Sequence, residues 1–186
     1  FDTLWKSPET VIRRLVEVVS RGGNYLLNTG PKGTGEIPDT TIAIFRAVGR
    51  WMERNSESIY GTTANPFGEL PWGYCTVKRN KLYLFVRDWS ANSIINLPGL
   101  KNDIIKSYLL ADKSTELKTD KEKDETRITI PGVAPDGPLS VIVLEIDGDP
   151  EVSPRVVRQD EKGKMELNYL TANTKGNTKT RFNRKG

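Results

Sequence analysis

The chain has 186 residues, of which 36% are hydrophobic and 28% are charged, a composition typical of a globular protein with one or two domains. Its apolar runs extend over only a few residues, far short of the roughly 20 that a membrane-spanning helix needs, so we expect no membrane partner. The single cysteine, Cys75, excludes an internal disulfide, and the lack of histidine excludes every Cys/His metal site and every His-based triad. We therefore expect no metal, and we expect no other cofactor.

The net charge of +4 comes entirely from the C-terminal end of the chain. Residues 160–186 hold seven Lys or Arg and three acids, so the preceding residues carry equal numbers of each sign. A balanced surface lacks the basic stripe that marks most nucleic-acid-binding proteins, and we expect no nucleic-acid partner. The chain begins with Phe1 and not with Met, so we expect it to be a piece of a longer protein.

The first part of the chain predicts a helix, a strand, a loop and a second helix. Ser7, Pro8 and Glu9 form an N-cap, a first-turn proline and a first-turn acid, and the apolar side chains that follow recur at helical spacing. Residues 25–28 are too short a run for a helix and predict a strand that is buried on both faces, as in a parallel sheet. After a glycine-rich loop, a second helix is predicted over about 39–55. This order is that of α/β proteins.

From about residue 62 the chain predicts an antiparallel β-sandwich, because turns with Pro and Gly separate short apolar or alternating runs. The predicted strands are 75–78, 82–87, 93–97, 104–111, 127–130 and 139–146. The charged run at 113–125 cannot pack in a core and predicts an exposed hairpin end. Residues 151–186 predict one further hairpin, formed by 155–158 and 165–170, followed by a basic linker or the start of a further module.

The glycine-rich loop resembles a phosphate-binding P-loop in its spacing and in its position between a strand and a helix. A P-loop requires Lys and then Ser or Thr after its last glycine, whereas Gly35 is followed by Glu36 and Ile37. A carboxylate at this position would repel a triphosphate, so we do not expect nucleotide binding.

Three side chains are candidates for contact with a ligand. Asn28 stands at the carboxyl end of the predicted strand, and in a (β/α)-barrel the loops after the strands build the active-site face. Its amide would bind substrate there or, alternatively, brace the loop by bonding to nearby backbone. Trp5 and Trp72 can stack on sugar rings, although buried packing between domains is the commoner role of such residues. No pair of carboxylates stands out as the two that a glycosidase uses.

The residues around Asn28 resemble a known family. The strings GGNYLLNTGP at 22–31, GEIP at 35–38, AVGRWM at 47–52 and ESIYGT at 57–62 resemble, in order and spacing, the last barrel segment of the α-L-fucosidases of glycoside hydrolase family 29. The strings LYLFV at 82–86 and VLEIDG at 143–148 resemble the sandwich domain that follows the barrel in that family. The resemblance covers about residues 1–150 and departs from the family pattern at Ser56, where glycine is usual.

The resemblance implies a fold that is α/β plus all-β, a C-terminal fragment of a (β/α)8 barrel followed by an antiparallel β-sandwich. Residues 1–61 are expected to be the last helix–strand–helix segment of the barrel, and residues 62–150 the sandwich. The implied location of the parent protein is secreted, periplasmic or lysosomal.

The resemblance also implies a function. The family hydrolyses terminal α-L-fucosyl linkages of glycans with retention, using an Asp nucleophile and a second carboxyl group as acid and base. Both groups lie upstream of this segment in the family, as do the sugar-binding histidines. The chain is therefore expected to hold no catalytic residue, to supply the eighth barrel strand with its loop and the accessory sandwich, and to be inactive alone. Its expected partners are a fucosylated glycan, which Asn28 would contact, and the N-terminal barrel of the same protein.

A function of a different class stays open. The sandwich would then be a stand-alone carbohydrate-binding or interaction module that the helices only decorate, or a purely structural accessory domain. Direct glycan binding by residues 62–150 would distinguish the first of these from the fucosidase interpretation.

Overall fold

The computed structural model describes residues 5–89, 93–122 and 125–153, which all belong to one compact unit. The helices in this part of the chain are α1 (Pro8–Ser20), α2 (Asp39–Asn55) and one 3₁₀ turn (Ser56–Ser58). The strands are β1 (Gly73–Lys78), β2 (Lys81–Val86), β3 (Ile94–Pro98), β4 (Ile104–Leu109), β5 (Asp112–Glu116), β6 (Thr119–Glu122), β7 (Glu125–Thr129) and β8 (Ser140–Ile146). The hairpin and linker predicted beyond residue 153 lie outside the described residues. None of the described helices has the length and apolar character needed to cross a membrane.

The ends of α1 follow from short-range interactions that the sequence predicts. The Ser7 hydroxyl accepts a hydrogen bond from the Thr10 backbone N–H at 3.2 Å, and Pro8 occupies the first turn. Gly22 adopts a φ of 77°, a left-handed conformation that favours glycine and ends the helix. Helix α2 spans the predicted residues 39–55, but Pro38 at its N-cap makes no side-chain hydrogen bond to the first turn.

The strands form two antiparallel sheets. The larger, sheet A, has the strand order β1-β2-β8-β4-β5, and the smaller, sheet B, has the order β3-β7-β6. A two-residue turn joins β1 to β2, and Lys78 pairs with Lys81 on either side of it. Arg79 in that turn has a φ of 55°. Each of the six predicted strands is confirmed to within two residues at either end. The predicted antiparallel sandwich is thus the main feature of the fold.

Sheet A is covered on both faces, so the described residues form three layers. Its inner face packs against sheet B through buried side chains that include Leu82, Leu84 and Leu144. Its outer face packs against α1 and α2. The buried residues of this outer interface are Ile12, Val16, Trp51, Ile59, Tyr83, Phe85, Tyr108, Leu110, Leu139, Val141 and Val143. The helices therefore share a hydrophobic core with the sandwich.

The strand predicted at 25–28 is absent. Exposure alternates along these residues as in an extended chain, but they form no strand, and Leu26 is 91% exposed, so the prediction of a strand buried on both faces is wrong for this chain. A strand requires a hydrogen-bonded neighbour, and the described residues supply none here. The barrel segment predicted for residues 1–61 thus stays a prediction.

The charged run at 113–125 does not form a single exposed hairpin end. Its first half lies in β5, which pairs with β4 in sheet A, and its second half contains β6, which pairs with β7 in sheet B. The segment is therefore a crossover between the two sheets. Both strands lie at sheet edges, where charged side chains remain in water and discourage pairing with other chains.

Candidate functional site

A cavity of about 190 Å³ opens where the two helices begin and the extended residues 27–30 pass beside them. It is lined by Trp5, Lys6, Val11, Leu27, Asn28, Thr29, Gly30, Thr41, Ile44 and Phe45. The lining combines apolar and aromatic side chains with two hydroxyl groups, one amide and one ammonium group. Two of the predicted ligand-binding candidates, Trp5 and Asn28, are therefore brought together here.

The segment that carries Asn28 has the exposure pattern of a β-strand without its partners. Tyr25, Leu27 and Thr29 are half-buried, whereas Leu26 and Asn28 between them are exposed. Exposure that alternates from one residue to the next is typical of an extended chain that lies on a surface. The backbone groups of residues 24–30 form no hydrogen bond with other described residues. Leu26 and Asn28 consequently share one open face of an unpaired extended segment.

The Asn28 amide makes no hydrogen bond within the described part of the chain. The alternative role of Asn28, in which its amide bonds to nearby backbone and stabilises the loop, is therefore not observed among the described residues. An exposed amide beside a cavity retains its full capacity to donate two hydrogen bonds and to accept others. Contact with a substrate stays a prediction for this residue.

Two threonines complete the polar lining of the cavity. The Oγ1 atoms of Thr29 and Thr41 are buried and have no hydrogen-bond partner, and Thr41 as a residue is only 5% exposed. Burial of a hydroxyl group without a partner is unfavourable, so each of these two atoms lowers the stability of the fold. Sequence reasoning missed both. Thr41 lies in a first helical turn, where a threonine ordinarily bonds to nearby backbone, and Thr29 lies in the unpaired segment, where a threonine gives no distinct signal.

Trp72 lies elsewhere in the fold. It directly precedes β1, and its indole Nε1 donates a hydrogen bond to the backbone oxygen of Asn96 in β3 at 2.8 Å. The ring also packs against the core between the sheets. Trp72 therefore joins sheet A to sheet B, which is the packing alternative and not the sugar-stacking one.

The main cluster of interacting titratable groups lies at the polar end of the outer face of sheet A, away from the cavity lining. Tyr83 donates a hydrogen bond to Glu57 Oε1 at 2.8 Å, and Tyr108 donates one to Glu145 Oε1 at 3.0 Å. The Lys81 ammonium lies between the carboxylates, 3.0 Å from Glu145 Oε1 and 3.7 Å from Glu57 Oε1. We call these residues the Glu57 cluster.

The Glu57 cluster does not fit a pair of glycosidase carboxyl groups. Burial raises the pKa of Glu57, but hydrogen bonds from Tyr83 and Lys113 outweigh it and lower the pKa below its ordinary value. The hydrogen bond from Lys81 lowers the pKa of Glu145 as well. A general acid needs a raised pKa, so neither group is suited to that role. The described residues also contain no group of three His, Cys, Asp or Glu side chains placed to hold a metal.

Comparison with known proteins links this architecture to one class of enzyme. Residues 2–57 match the family model described as α-L-fucosidase. An α-L-fucosidase of Dictyostelium discoideum is 30% identical over a region that covers 77% of this chain and 33% of that protein. A tissue α-L-fucosidase of Rattus norvegicus is 29% identical over 67% of this chain and 28% of its own length.

Solved structures give the same result. The α-L-fucosidase isoenzyme 1 from Paenibacillus thiaminolyticus superposes with a TM-score of 0.72 and 37% identity, covering 78% of this chain and 36% of that one. An α-L-fucosidase from a Vibrio species superposes with a TM-score of 0.74 and 33% identity, covering 91% of this chain and 31% of that one.

The matched proteins belong to one class of enzyme, the glycoside hydrolases. More specifically, this chain is similar to the C-terminal part of the α-L-fucosidases of glycoside hydrolase family 29, as the sequence resemblance predicts. It spans a third or less of the length of the curated relatives that it matches.

Proposed function

We propose that the chain is the C-terminal part of a retaining α-L-fucosidase that hydrolyses terminal α-L-fucosyl linkages of glycans. The observation that carries the proposal is that similarity to α-L-fucosidases extends through the helices and the sandwich alike, over 91% of the chain in the Vibrio structure. Similarity confined to the sandwich would have been compatible with many unrelated functions, because β-sandwiches host many chemistries.

Residues 1–61 supply the last helix–strand–helix segment of the barrel in this proposal. Each helix has one face on sheet A, through residues such as Val16 and Trp51, and another toward the extended segment, through Val11 and Ile44. Barrel helices lie outside the strands in the same way. The unpaired, period-two segment around Leu26 would then be the eighth strand, and the N-terminal barrel of the same protein would be the partner that supplies both of its neighbours.

Asn28 is the substrate-contacting residue in this proposal. It shares the open face of the extended segment with Leu26, and it stands at the segment's carboxyl end, where barrel enzymes place their active sites. Its amide would bond to a hydroxyl group of a fucosylated glycan. In this proposal the nucleophile and the acid/base are supplied by residues outside this chain, as the family resemblance implies. The carboxyl groups of the Glu57 cluster have lowered pKa values, which do not suit the general acid.

A chimera provides the test. Residues 1–153 of this chain would replace the matched C-terminal part of the Paenibacillus thiaminolyticus enzyme, which covers 36% of that protein. We expect the chimera to cleave an aryl α-L-fucoside, whereas this chain alone should show no turnover. A chimera that folds, as judged by circular dichroism and a cooperative thermal transition, but has no activity would contradict the proposal.

The role of Asn28 is tested in the same chimera. Asn28→Ala should raise KM up to about tenfold, the effect of losing one hydrogen bond to substrate. Asn24→Ala is the matched control, because Asn24 is exposed at the start of the same segment and does not line the cavity. Equal kinetics for the two variants would remove Asn28 from the site.

The alternative of a stand-alone carbohydrate-binding module is less well supported. Both faces of sheet A are covered, and the Trp72 ring is engaged in packing. Binding of this chain to glycans through residues 62–150, together with an inactive chimera, would favour that alternative.

A further inference from the structure

We propose that Trp51 is a positioning residue for Asn28 and couples the sandwich to the substrate-contacting end of the extended segment. The role of Asn28 in this inference comes from the proposed function, whereas the coupling is a property of this chain by itself. Trp51 is only 3% exposed and packs on the outer face of sheet A. Its indole Nε1 donates a hydrogen bond to the backbone oxygen of Leu139 at 3.1 Å.

Helix α2 contacts two different parts of the molecule with one face. Near the N-terminal end of the helix, Ile44 lines the same cavity as Leu27 and Asn28. Seven residues later, Trp51 packs on sheet A. Seven residues make about two turns, or about 10 Å, so both side chains lie on the same face of the helix. The helix therefore connects the sandwich directly to the wall of the cavity.

The extended segment depends on the helices for its position. The backbone groups of residues 24–30 form no hydrogen bond with other described residues, so within the described part of the chain only side-chain packing holds the segment. Leu27 is half-buried and lines the cavity, and alternation in an extended chain directs the next side chain, that of Asn28, to the opposite face. A shift of α2 therefore moves Leu27, and the Asn28 amide moves with it.

The contact of α2 with the sandwich includes a directional bond. Apolar packing resists separation more than sliding or rotation, because the hydrophobic effect has no direction. The Trp51 hydrogen bond adds a direction, since such a bond weakens steeply when the donor turns away from its acceptor. The acceptor residue Leu139 is fully buried and directly precedes β8, the central strand of sheet A. The helix is therefore anchored at the middle of the sheet.

A small displacement of Asn28 is sufficient to weaken its contact with substrate. Hydrogen bonds are effective over a range of only a few tenths of an ångström, so a displacement of about 1 Å removes most of their energy. A bond to a substrate hydroxyl group is present before the reaction as well as during it, and its loss therefore raises KM and leaves kcat nearly unchanged. The expected effect of a change at Trp51 is thus a higher KM.

The coupling is tested on this chain without any assay of hydrolysis. Trp51→Phe retains a buried aromatic ring and removes the Nε1 donor, and we expect shifted amide resonances at residues 27–29. Trp72→Phe is the matched control, because it removes the same kind of hydrogen bond, from Nε1 to the backbone oxygen of Asn96, at a site between the two sheets. Shifts at residues 27–29 that are no larger than those of the control would overturn the proposal.

Kinetics in the fucosidase chimera test the consequence for substrate. Trp51→Phe should raise KM about threefold and leave kcat unchanged, whereas Trp72→Phe should change neither. The double variant Asn28→Ala/Trp51→Phe should have the KM of Asn28→Ala alone, because Trp51 acts only through that amide. Residues that are not in contact normally have additive effects, so additive increases in KM, or a fall in kcat, would overturn the proposal.

Thermal unfolding of every variant shows whether it folds. If Trp51→Phe gives no cooperative transition, Asp136→Asn disturbs the same end of α2 more mildly, because it keeps the size of the side chain and weakens its 2.7 Å contact with Arg54. Unshifted amides at residues 27–29 in that variant would then overturn the proposal. Shifted amides in Trp51→Phe together with an inactive chimera would support the coupling and count against the proposed function alone.

Discussion

Glu57 connects the helical segment to the polar end of sheet A at the level of single side chains. Its Oε1 accepts a hydrogen bond from Tyr83 at 2.8 Å, and its Oε2 lies 3.1 Å from the Lys113 ammonium. Burial raises the pKa of Tyr83, and its hydrogen bond to Glu57 raises that pKa further, so the phenol keeps its proton above the ordinary tyrosine range. The contact therefore depends on the ionisation of Glu57 alone.

Replacing Tyr83 by Phe tests this contact. The variant keeps the buried ring and removes the hydroxyl group that donates to Glu57, so we expect a loss of about 1 kcal/mol in the free energy of unfolding. The pKa of Glu57 should rise at the same time, because one of the hydrogen bonds that lower it is gone. Urea denaturation and a carboxyl NMR titration measure the two effects. Tyr60→Phe, at a side chain that is 67% exposed, should change neither.

The lowered pKa values of Glu57 and Glu145 predict how stability depends on pH. Since each folded pKa lies below its unfolded value, the stabilisation is complete above the ordinary carboxyl pKa of about 4.3 and is lost as the pH falls through the folded values. The double variant Glu57→Gln/Glu145→Gln should be less stable than the natural chain at neutral pH. It should also lose less stability on acidification below about pH 4.3.

Urea titrations over the acid range measure that dependence. Glu53→Gln is the control, because Glu53 is exposed near the end of α2. A double variant whose stability falls with pH as steeply as that of the natural chain would show that other groups govern the acid response.

At the scale of elements, the C-terminal end of α2 is fixed to the loop before β8. Trp51 Nε1 donates a hydrogen bond to the backbone oxygen of Leu139 at 3.1 Å. Arg54 Nη1 lies 2.7 Å from Asp136 Oδ1, and Asn55 Nδ2 donates to Asp136 Oδ2 at 3.2 Å. The Asp136 side chain is only 5% exposed; the Arg54 guanidinium compensates its charge, and the neutral Asn55 amide adds a hydrogen bond.

Asp136→Ala removes the acceptor shared by Arg54 and Asn55. We expect the free energy of unfolding to fall by about 1–3 kcal/mol, because the buried Asn55 amide and the more exposed Arg54 guanidinium both lose their acceptor. Thermal unfolding measures the loss, and Asp149→Ala, at an exposed residue, serves as the control. Equal unfolding temperatures for the two variants would mean that α2 is held mainly by its apolar face.

The elements that the sequence predicts correctly are those defined by neighbouring residues. Ser7 and Pro8 start α1 through contacts within one turn, and the hairpin at Arg79 is set by its own two-residue loop. Residues 25–28 and 113–125 were mispredicted because a strand is defined by its partner. Apolar residues at every position of 82–86 do indicate two buried faces, but the sequence does not say which element covers the second.

The residues of the candidate site also differ in whether the local sequence reveals them. Asn28 was identified because its position at the end of a predicted strand is a local property of the sequence. Thr29 and Thr41 were not, because they are 12 residues apart and meet only when α2 folds beside the extended segment.

At the scale of the whole molecule, the shared core predicts a distinct pattern of hydrogen exchange. The amides of Val16 and Trp51 lie in helices packed on sheet A, whereas that of Leu26 is unpaired and exposed. We expect Leu26 to exchange orders of magnitude faster than Val16 and Trp51, which should approach Leu84 of β2. NMR-detected exchange on this chain measures all four amides. Exchange of Val16 as fast as that of Leu26 would mean that the helices do not share the stability of the sheets.

The buried outer face of sheet A also constrains how such genes can recombine. A crossover between codons 61 and 62 would combine the helices of one ancestor with the sheet of another. Side chains at positions 12, 16 and 51 would then come from one ancestor, and those at positions 85 and 143, which pack against them, from another. The interior between them tolerates little change of volume. A crossover upstream of α1 transfers both halves of the interface together. Viable recombinants should therefore inherit the helices and the sandwich as one block, and substitutions at these five positions should covary between lineages.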